Sequence, residues 1–253
     1  MSIRNLFIAL TVVFLTACGN APEAPVETAA PEAPAAQVES AAAEIEAAAE
    51  ETAAEAPVAA AAPQEWKYRE GAHYQRFANA QGTSSSPDKI EVAEVFWYGC
   101  PHCYSFEPYL EKWKKTLPAD VAFVKIPVMW NPTNEVHARL FYTIQALGLE
   151  DAHSAVFSEM HTKRKMLASE GAQRDFIVSN FDVSEDEFNK AYRSFSVNGK
   201  IQQAKTLTTR YQVRSVPILI INGKYATTGD ELRDFDMILD VAEELVARER
   251  AGL

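Results

Sequence analysis

Two stretches of the chain are apolar almost throughout and rich in β-branched and aromatic residues: Ile90 to Tyr98 and Val121 to Val128. Segments of that length and composition predict buried strands. Between them Phe106, Tyr109, Leu110, Trp113 and Leu117 recur at helical spacing and stop before Pro118, so a helix is expected to join the two strands. A looser alternation over Tyr68 to Tyr74 marks a candidate edge strand. From Glu135 to Tyr211 the period is helical, as in Val136, Leu140, Phe141, Ile144 and Leu147. Within that region Ser184 with Glu187 reads as a capping box opening one helix, and Asn198-Gly199 as its stop. Val216-Pro217-Ile218-Leu219-Ile220-Ile221 then predicts a third strand, with a turn at Asn222-Gly223 and a short partner around Lys224 to Thr227. A closing helix is expected from Glu231 to about Arg248. The pattern is that of an α/β domain over residues 66–253, interrupted by a helical insertion at about residues 134–211.

Ahead of that domain the pattern is different. Arg4 followed by the apolar run Leu6 to Leu15 has the basic and apolar parts of a secretory signal and is too short to span a bilayer comfortably. Residues 1–17 are therefore expected to be removed. The end of the run, Leu15-Thr16-Ala17-Cys18, resembles the lipobox of bacterial lipoproteins, which implies diacylglycerol on Cys18 and cleavage just before it. The alternative is an ordinary signal whose cleavage site contains a cysteine. By the sorting rule of those lipoproteins, Gly19 rather than Asp after the cysteine points to the outer membrane. Residues 19–65 are Ala, Pro and Glu with scattered Val, Thr and Gln, without an aromatic residue, and nothing there forms a core. Glu46/Glu50 and Glu51/Glu55 repel at i,i+4, so any helix there is expected to be partial. Residues 18–65 read as a disordered tether whose span lies between roughly 40 Å as a flexible coil and about 145 Å as polyproline II.

Charge sharpens this division. Residues 19–65 hold ten Glu and no Lys or Arg, which accounts for most of the net charge of −11. The domain that follows is nearly neutral, without the basic excess of a nucleic-acid binder.

The chain has three cysteines, and with Cys18 assigned to processing the domain keeps only Cys100 and Cys103. They lie in Cys100-Pro101-His102-Cys103, where the first strand ends and the joining helix begins. A disulfide across so short a loop constrains the unfolded chain little, which argues against a structural staple. Zinc needs about four ligands, and no second cysteine pair or spaced histidine pair supplies them. Covalent haem requires His directly after the second cysteine, where Tyr104 stands. Redox chemistry remains, with no metal and no cofactor beyond the cysteine pair itself. At a helix start Cys100 would face unpaired N–H groups and the positive end of the helix dipole. The dipole alone contributes at most about 2 kcal/mol, so a strongly acidic Cys100 requires His102 and direct N–H hydrogen bonds as well. Cys103, one turn further in, would be the shielded resolving thiol.

These residues carry a family resemblance. Glu94 six residues before Cys100, the Cys100-Pro101-His102-Cys103 motif, the helical insertion, and Val216-Pro217 opening a late strand that runs into Asn222-Gly223-Lys224-Tyr225 together resemble the DsbA family of periplasmic thiol:disulfide interchange proteins. The resemblance covers residues 66 to about 230 and implies a thioredoxin fold with a helical insertion and a cis peptide at Val216-Pro217. It implies that Cys100, Cys103, His102 and Pro101 are catalytic, and that Val216 and Pro217 bind substrate. Reduced exported proteins would be the substrates, a DsbB-like membrane quinone reductase the reoxidant, and the active form a monomer. The lipobox and the long acidic tether depart from the family pattern. Reductase or isomerase chemistry on the same fold is an alternative, though the tether offers no dimerisation domain for an isomerase. A tethered peptide-binding lipoprotein with incidental cysteines is another.

Other polar positions stay open between two roles. Glu94 and Lys125 lie inside apolar strands, where an unpaired charge is costly, and form either a salt bridge or a proton relay to Cys103. Glu107 matches an acidic family position or is a surface charge. His73, His137, His153 and His161 lack ligand spacing and are expected to be solvated. Trp97, Tyr98, Tyr104 and Tyr109 either frame an apolar peptide surface or pack in the core.

Overall fold

The computed structural model describes residues 65–252. Cys18, the signal and most of the tether lie outside the described residues. Among the described residues five strands form one sheet, in the order β1 (Gln75–Arg76), β5 (Tyr225–Ala226), β4 (Ile218–Ile221), β2 (Ile90–Phe96) and β3 (Val121–Pro127). The central strand β2, Ile90–Phe96, is buried along nearly its whole length, as a strand covered on both faces must be. Helix α1, Pro101–Lys114, crosses over to β3, Val121–Pro127, which pairs with β2 in parallel. β4, Ile218–Ile221, pairs antiparallel with the other side of β2, and β5, Tyr225–Ala226, follows it through the Asn222-Gly223 turn. Both turn residues have positive φ, 50° and 62°, which suits Asn and Gly. A Cβ on Gly223 would also lie 2.5 Å from the Gly82 carbonyl oxygen, so the position requires glycine.

The insertion between β3 and β4 consists of α2 (Pro132–Ala146), α3 (Ala152–His161), α4 (Glu170–Asn180), α5 (Glu185–Tyr192) and α6 (Phe195–Arg210). α7, Phe235–Arg250, closes the chain. One apolar core joins Phe106, Leu110 and Trp113 of α1 to Leu239, Ala242 and Leu245 of α7 across Val92, Leu219 and Ile221. A second core sets Ala93, Val95, Ile218 and Ile220 against Phe141, Phe157, Ile177 and Leu207 of the insertion, and reaches Cys103. Each fully buried Leu or Phe side chain contributes about 1.5–3 kcal/mol of transfer free energy to these layers.

The architecture matches the expected thioredoxin fold with a helical insertion, and two local expectations are corrected. The edge strand β1 lies at Gln75–Arg76, not over Tyr68 to Tyr74; Tyr68 and Tyr74 are buried and only Glu70 and Tyr74 form an isolated bridge. Ser184 and Glu187 do form the capping box of α5, but that helix stops at Tyr192. Asn198-Gly199 falls inside α6, where Ser194 caps the N-terminus by accepting from the Val197 N–H at 3.1 Å. Gly199 costs helix stability there, about 1 kcal/mol relative to Ala, and the buried face of Val197, Ile201 and Ala204 outweighs it.

Candidate active site

The end of β2 turns sharply into α1, and the turn brings the cysteine pair together. A Cβ on Gly99 would sit 2.4 Å from the Trp97 indole, so only glycine lets the backbone pass beneath that ring. Cys100 is the N-cap of α1 and Pro101 takes the first helical position, where a missing N–H costs nothing. Unlike a Ser or Asp cap, the Cys100 side chain makes no cap hydrogen bond, and the first turn of α1 contains no acidic residue. The N–H groups at this helix end are left for whatever charge Cys100 develops.

Both cysteines are free thiols and both are buried, Cys103 completely. Cys100 Sγ–H donates to the Val216 carbonyl oxygen at 3.5 Å. The Val216–Pro217 peptide is cis, as the resemblance implied, and both residues are half-buried beside the cysteine pair. The Cys100 thiol titrates at about 6, well below its ordinary value. The Cys103 thiol donating to it is the largest cause; burial opposes, and the backbone N–H groups of Cys103 and His102 assist. The His102 charge contributes least among these, and its ring is exposed, so direct donors rather than this histidine dominate. Cys103 is pushed strongly upward, first by burial, then by its hydrogen bond to Cys100 and by the Glu94 charge. One sulfur is therefore disposed to be an anion and its neighbour to hold a proton.

Glu94, Lys125 and Glu107 form one buried cluster. Lys125 Nζ donates to Glu94 Oε2 and to Glu107 Oε1, each at 2.6 Å. Glu107 is buried, which rules out the surface reading for it. One cation faces two carboxylates, so the third charge is unmatched. Glu94 bears the consequence: burial pushes it up to about 7, with Lys125 opposing and Glu107 reinforcing. At Glu107 burial works in the same direction, but His153 and Lys125 outweigh it and hold the carboxyl down to about 2. Lys125 is kept charged by the two carboxylates against its own burial.

The expectation of solvated histidines is wrong for this domain. His73 and His137 are buried, and His153 and His161 partly so. The Trp97 Nε1–H donates to His137 Nδ1 at 2.9 Å, and His137 Nε2 bonds the Met166 carbonyl at 2.8 Å. His161 Nε2–H donates to the Tyr98 carbonyl at 2.7 Å, and its ring stacks on Tyr104 at 5.0 Å. His153 Nδ1 lies 2.7 Å from the Tyr98 hydroxyl. A legible signal existed: His153, Phe157 and His161 recur every fourth residue, on the buried side of α3. An imidazole with partners for its nitrogens packs like an aromatic residue, and residue type alone does not disclose those partners. Of the aromatic candidates, Tyr98 is core and Trp97 half-buried, whereas Tyr104 and Tyr109 are exposed. No cluster of three or more His, Cys, Asp or Glu able to hold a metal ion occurs among the described residues.

Known proteins resemble this chain in sequence and in fold. Residues 78–241 match the family described as Thioredoxin. The thiol:disulfide interchange protein DsbA of Pseudomonas aeruginosa is 38% identical over 198 residues, covering 78% of this chain and 93% of that protein. DsbA of Pseudomonas syringae pv. tomato is 43% identical over 167 residues, covering 66% of this chain and 78% of that protein. The crystal structure of Pseudomonas aeruginosa DsbA superposes with a TM-score of 0.69 at 39% identity, covering 73% of this chain and 96% of that one. DsbA from Xylella fastidiosa, at 27% identity, gives 0.68 over 73% of this chain and 98% of that one. With the fold, the paired thiols and this extent of identity in agreement, the chain belongs to the DsbA family of thiol:disulfide interchange proteins.

Proposed function

We propose that this thiol:disulfide oxidoreductase works as an oxidase, donating a Cys100–Cys103 disulfide to reduced exported proteins. A substrate thiolate attacks Cys100 Sγ, the Cys100–Cys103 bond breaks, and Cys103 leaves as a thiolate that takes its proton from the Glu94 carboxyl, which is reprotonated from solvent by way of Lys125 and Glu107. The second substrate thiolate then attacks the substrate sulfur of the mixed disulfide, and Cys100 departs as a thiolate. Two electrons pass to the cysteine pair, which a DsbB-like membrane quinone reductase returns to the disulfide. Pro101 and His102 shape the motif, and Val216 and Pro217 form the backbone edge on which the substrate lies.

The observation that carries this reading is the split between the sulfurs: Cys100 at an uncapped helix N-terminus titrating at about 6, Cys103 fully buried with its proton held. A thiolate at ease in the reduced protein is a good leaving group and makes its disulfide a strong oxidant. Equilibration of the pair against glutathione is expected to give a potential far more oxidising than thioredoxin's. A thioredoxin-like potential rejects the oxidase and favours the reductase alternative.

The setting proposed for this chemistry is the periplasm, with residues 1–17 removed, a lipid on Cys18 and residues 18–65 as the tether. Two chains or more on Cys18 would anchor the protein stably. Radioactive palmitate is expected to label the wild type and not Cys18→Ala; equal labelling of both removes the anchor.

A further inference from the structure

Three histidines of the insertion touch the segment entering the cysteine motif, and one of them also reaches the charge cluster. His153 of α3 sits between the Tyr98 hydroxyl, 2.7 Å from Nδ1, and Glu107 Oε1, 3.3 Å from Nε2. Its ring is wedged edge-on among Phe96, Phe141 and Phe157, at centroid distances of 5.4, 5.7 and 5.2 Å. Tyr98 keeps its proton, because burial first and the Glu107 and Glu94 charges next disfavour the phenolate. The ionised Glu107 carboxylate can only accept, so the ring N–H belongs on Nε2, which faces it, and Nδ1 is left to accept from the Tyr98 hydroxyl. The approach is oblique, and Nε2 is buried with no well-aligned partner.

We infer that His153 is a positioning residue for disulfide exchange: held by Tyr98 on one ring nitrogen, it secures Glu107 with the other and so leaves Glu94 as the carboxyl that exchanges a proton with Cys103. Lys125 by itself cannot make that choice, because it lies 2.6 Å from both carboxylates. The asymmetry is on the Glu107 side. Glu107 has His153 Nε2 3.3 Å from its Oε1 as a second polar neighbour, whereas Glu94 is fully buried and its Oε1 has no partner among the described residues. A groove of about 800 Å³ between β3, α2, α3 and α6 opens onto Glu107, Lys125 and His153 but not onto Glu94. A proton passing between Glu94 and solvent in this groove thus crosses Lys125 and the carboxylate that His153 holds.

The charged groups that act on His153 are Glu107 and Glu111 from α1 and Lys125 from β3, and Lys114, Lys200, Glu150 and Asp151 line the same groove. Burial outweighs the pull of the acidic ones and keeps the imidazole below its ordinary value, hence neutral at pH 7 with a single N–H to give.

This inference rests on Glu94 being the proton donor, and the test separates the two. Single-turnover oxidation of a reduced dithiol peptide by the oxidised full chain is followed across about pH 5–9, normalised to the peptide's reaction with a small disulfide. The wild type is expected to lose rate as pH rises through about 7, where Glu94 gives up its proton. Glu94→Gln should abolish that inflection. His153→Phe, which fills the same space without the N–H, should lower it by about one pH unit, because Glu107 takes up the proton and Lys125 turns to Glu94. His153→Gln, whose amide accepts from Tyr98 and donates to Glu107, should restore it. Tyr98→Phe removes only the hydroxyl that seats the ring and should shift the inflection the same way by less, so the test stands even if His153→Phe does not fold. If Glu94→Gln leaves the inflection in place, the proton-donor reading fails and this inference with it. If Glu94→Gln abolishes it while the folded His153→Phe and Tyr98→Phe variants keep it at the wild-type position, the role of His153 alone is overturned.

Discussion

Helices α1 and α7 line the same apolar core, yet their N-termini are built in opposite ways. α7 begins with Asp234, whose carboxylate accepts the Met237 N–H at 2.8 Å, and carries Asp236 in its first turn. α1 begins with Cys100, without a side-chain cap bond and without an acid in its first turn. The same orphan N–H groups are satisfied at once in α7 and left open to a sulfur anion in α1. Their inward-facing acids differ likewise. Glu244 of α7 accepts from the Lys67 and Tyr68 N–H groups and from Arg248, so its charge is matched. Glu107 of α1 shares one lysine with Glu94. Charge that α7 neutralises for stability is left unbalanced in α1, where it moves pKa values.

Filling the open N-terminus should have the largest effect. Cys100→Asp places the α7 solution on α1: disulfide exchange should disappear altogether, while thermal melts show a gain of about 1 kcal/mol from the new cap. Residual exchange, or no gain in stability, would show that the two termini differ in more than the cap.

The buried acids come next. Lys125→Met strands two carboxylates and should cost about 3–5 kcal/mol in urea unfolding at neutral pH, with partial recovery on acidification. Lys224→Met, which removes the half-exposed lysine from Glu249 of α7, should cost less than Lys125→Met, since it strands one carboxylate rather than two and Asn222 still donates to the same oxygen. Equal losses would dissolve the contrast.

A smaller effect depends on pH. The Cys100 pKa is depressed on folding, so its contribution to the reduced protein is fully present above the unfolded thiol value of about 8.5. It fades as pH falls and is gone below about 6. Denaturant midpoints of the reduced protein, compared with Cys100→Ser, should diverge only above pH 6, and the ultraviolet thiolate absorbance should follow the same curve. The smallest expected change is Asp234→Ala, about 1 kcal/mol of stability with an unchanged redox potential.

Much of this was legible from residue order. The strands at Ile90–Phe96 and Val121–Pro127, the crossing helix and the helical insertion follow from hydrophobic period, because burial of one face imposes that period wherever an element packs. The cysteine pair stood out by its spacing and by where the strand ends. What failed was local or long-range in kind. Asn198-Gly199 looked like a helix stop, but the buried stripe of α6 overrode the glycine. The histidines looked solvated because burying an imidazole requires specific partners, and His137, His153 and His161 find theirs in Trp97, Tyr98 and Tyr104, more than thirty residues away in the chain.

By itself, then, the order of residues determined the elements, the insertion, the cysteine pair and the family, since these depend on periodicity, turn chemistry and short-range spacing. Only the folded domain decided which carboxylate stays ionised and which histidines reach the site. Those outcomes depend on desolvation and on distances of about three ångströms between groups remote in sequence, and only tertiary packing sets either.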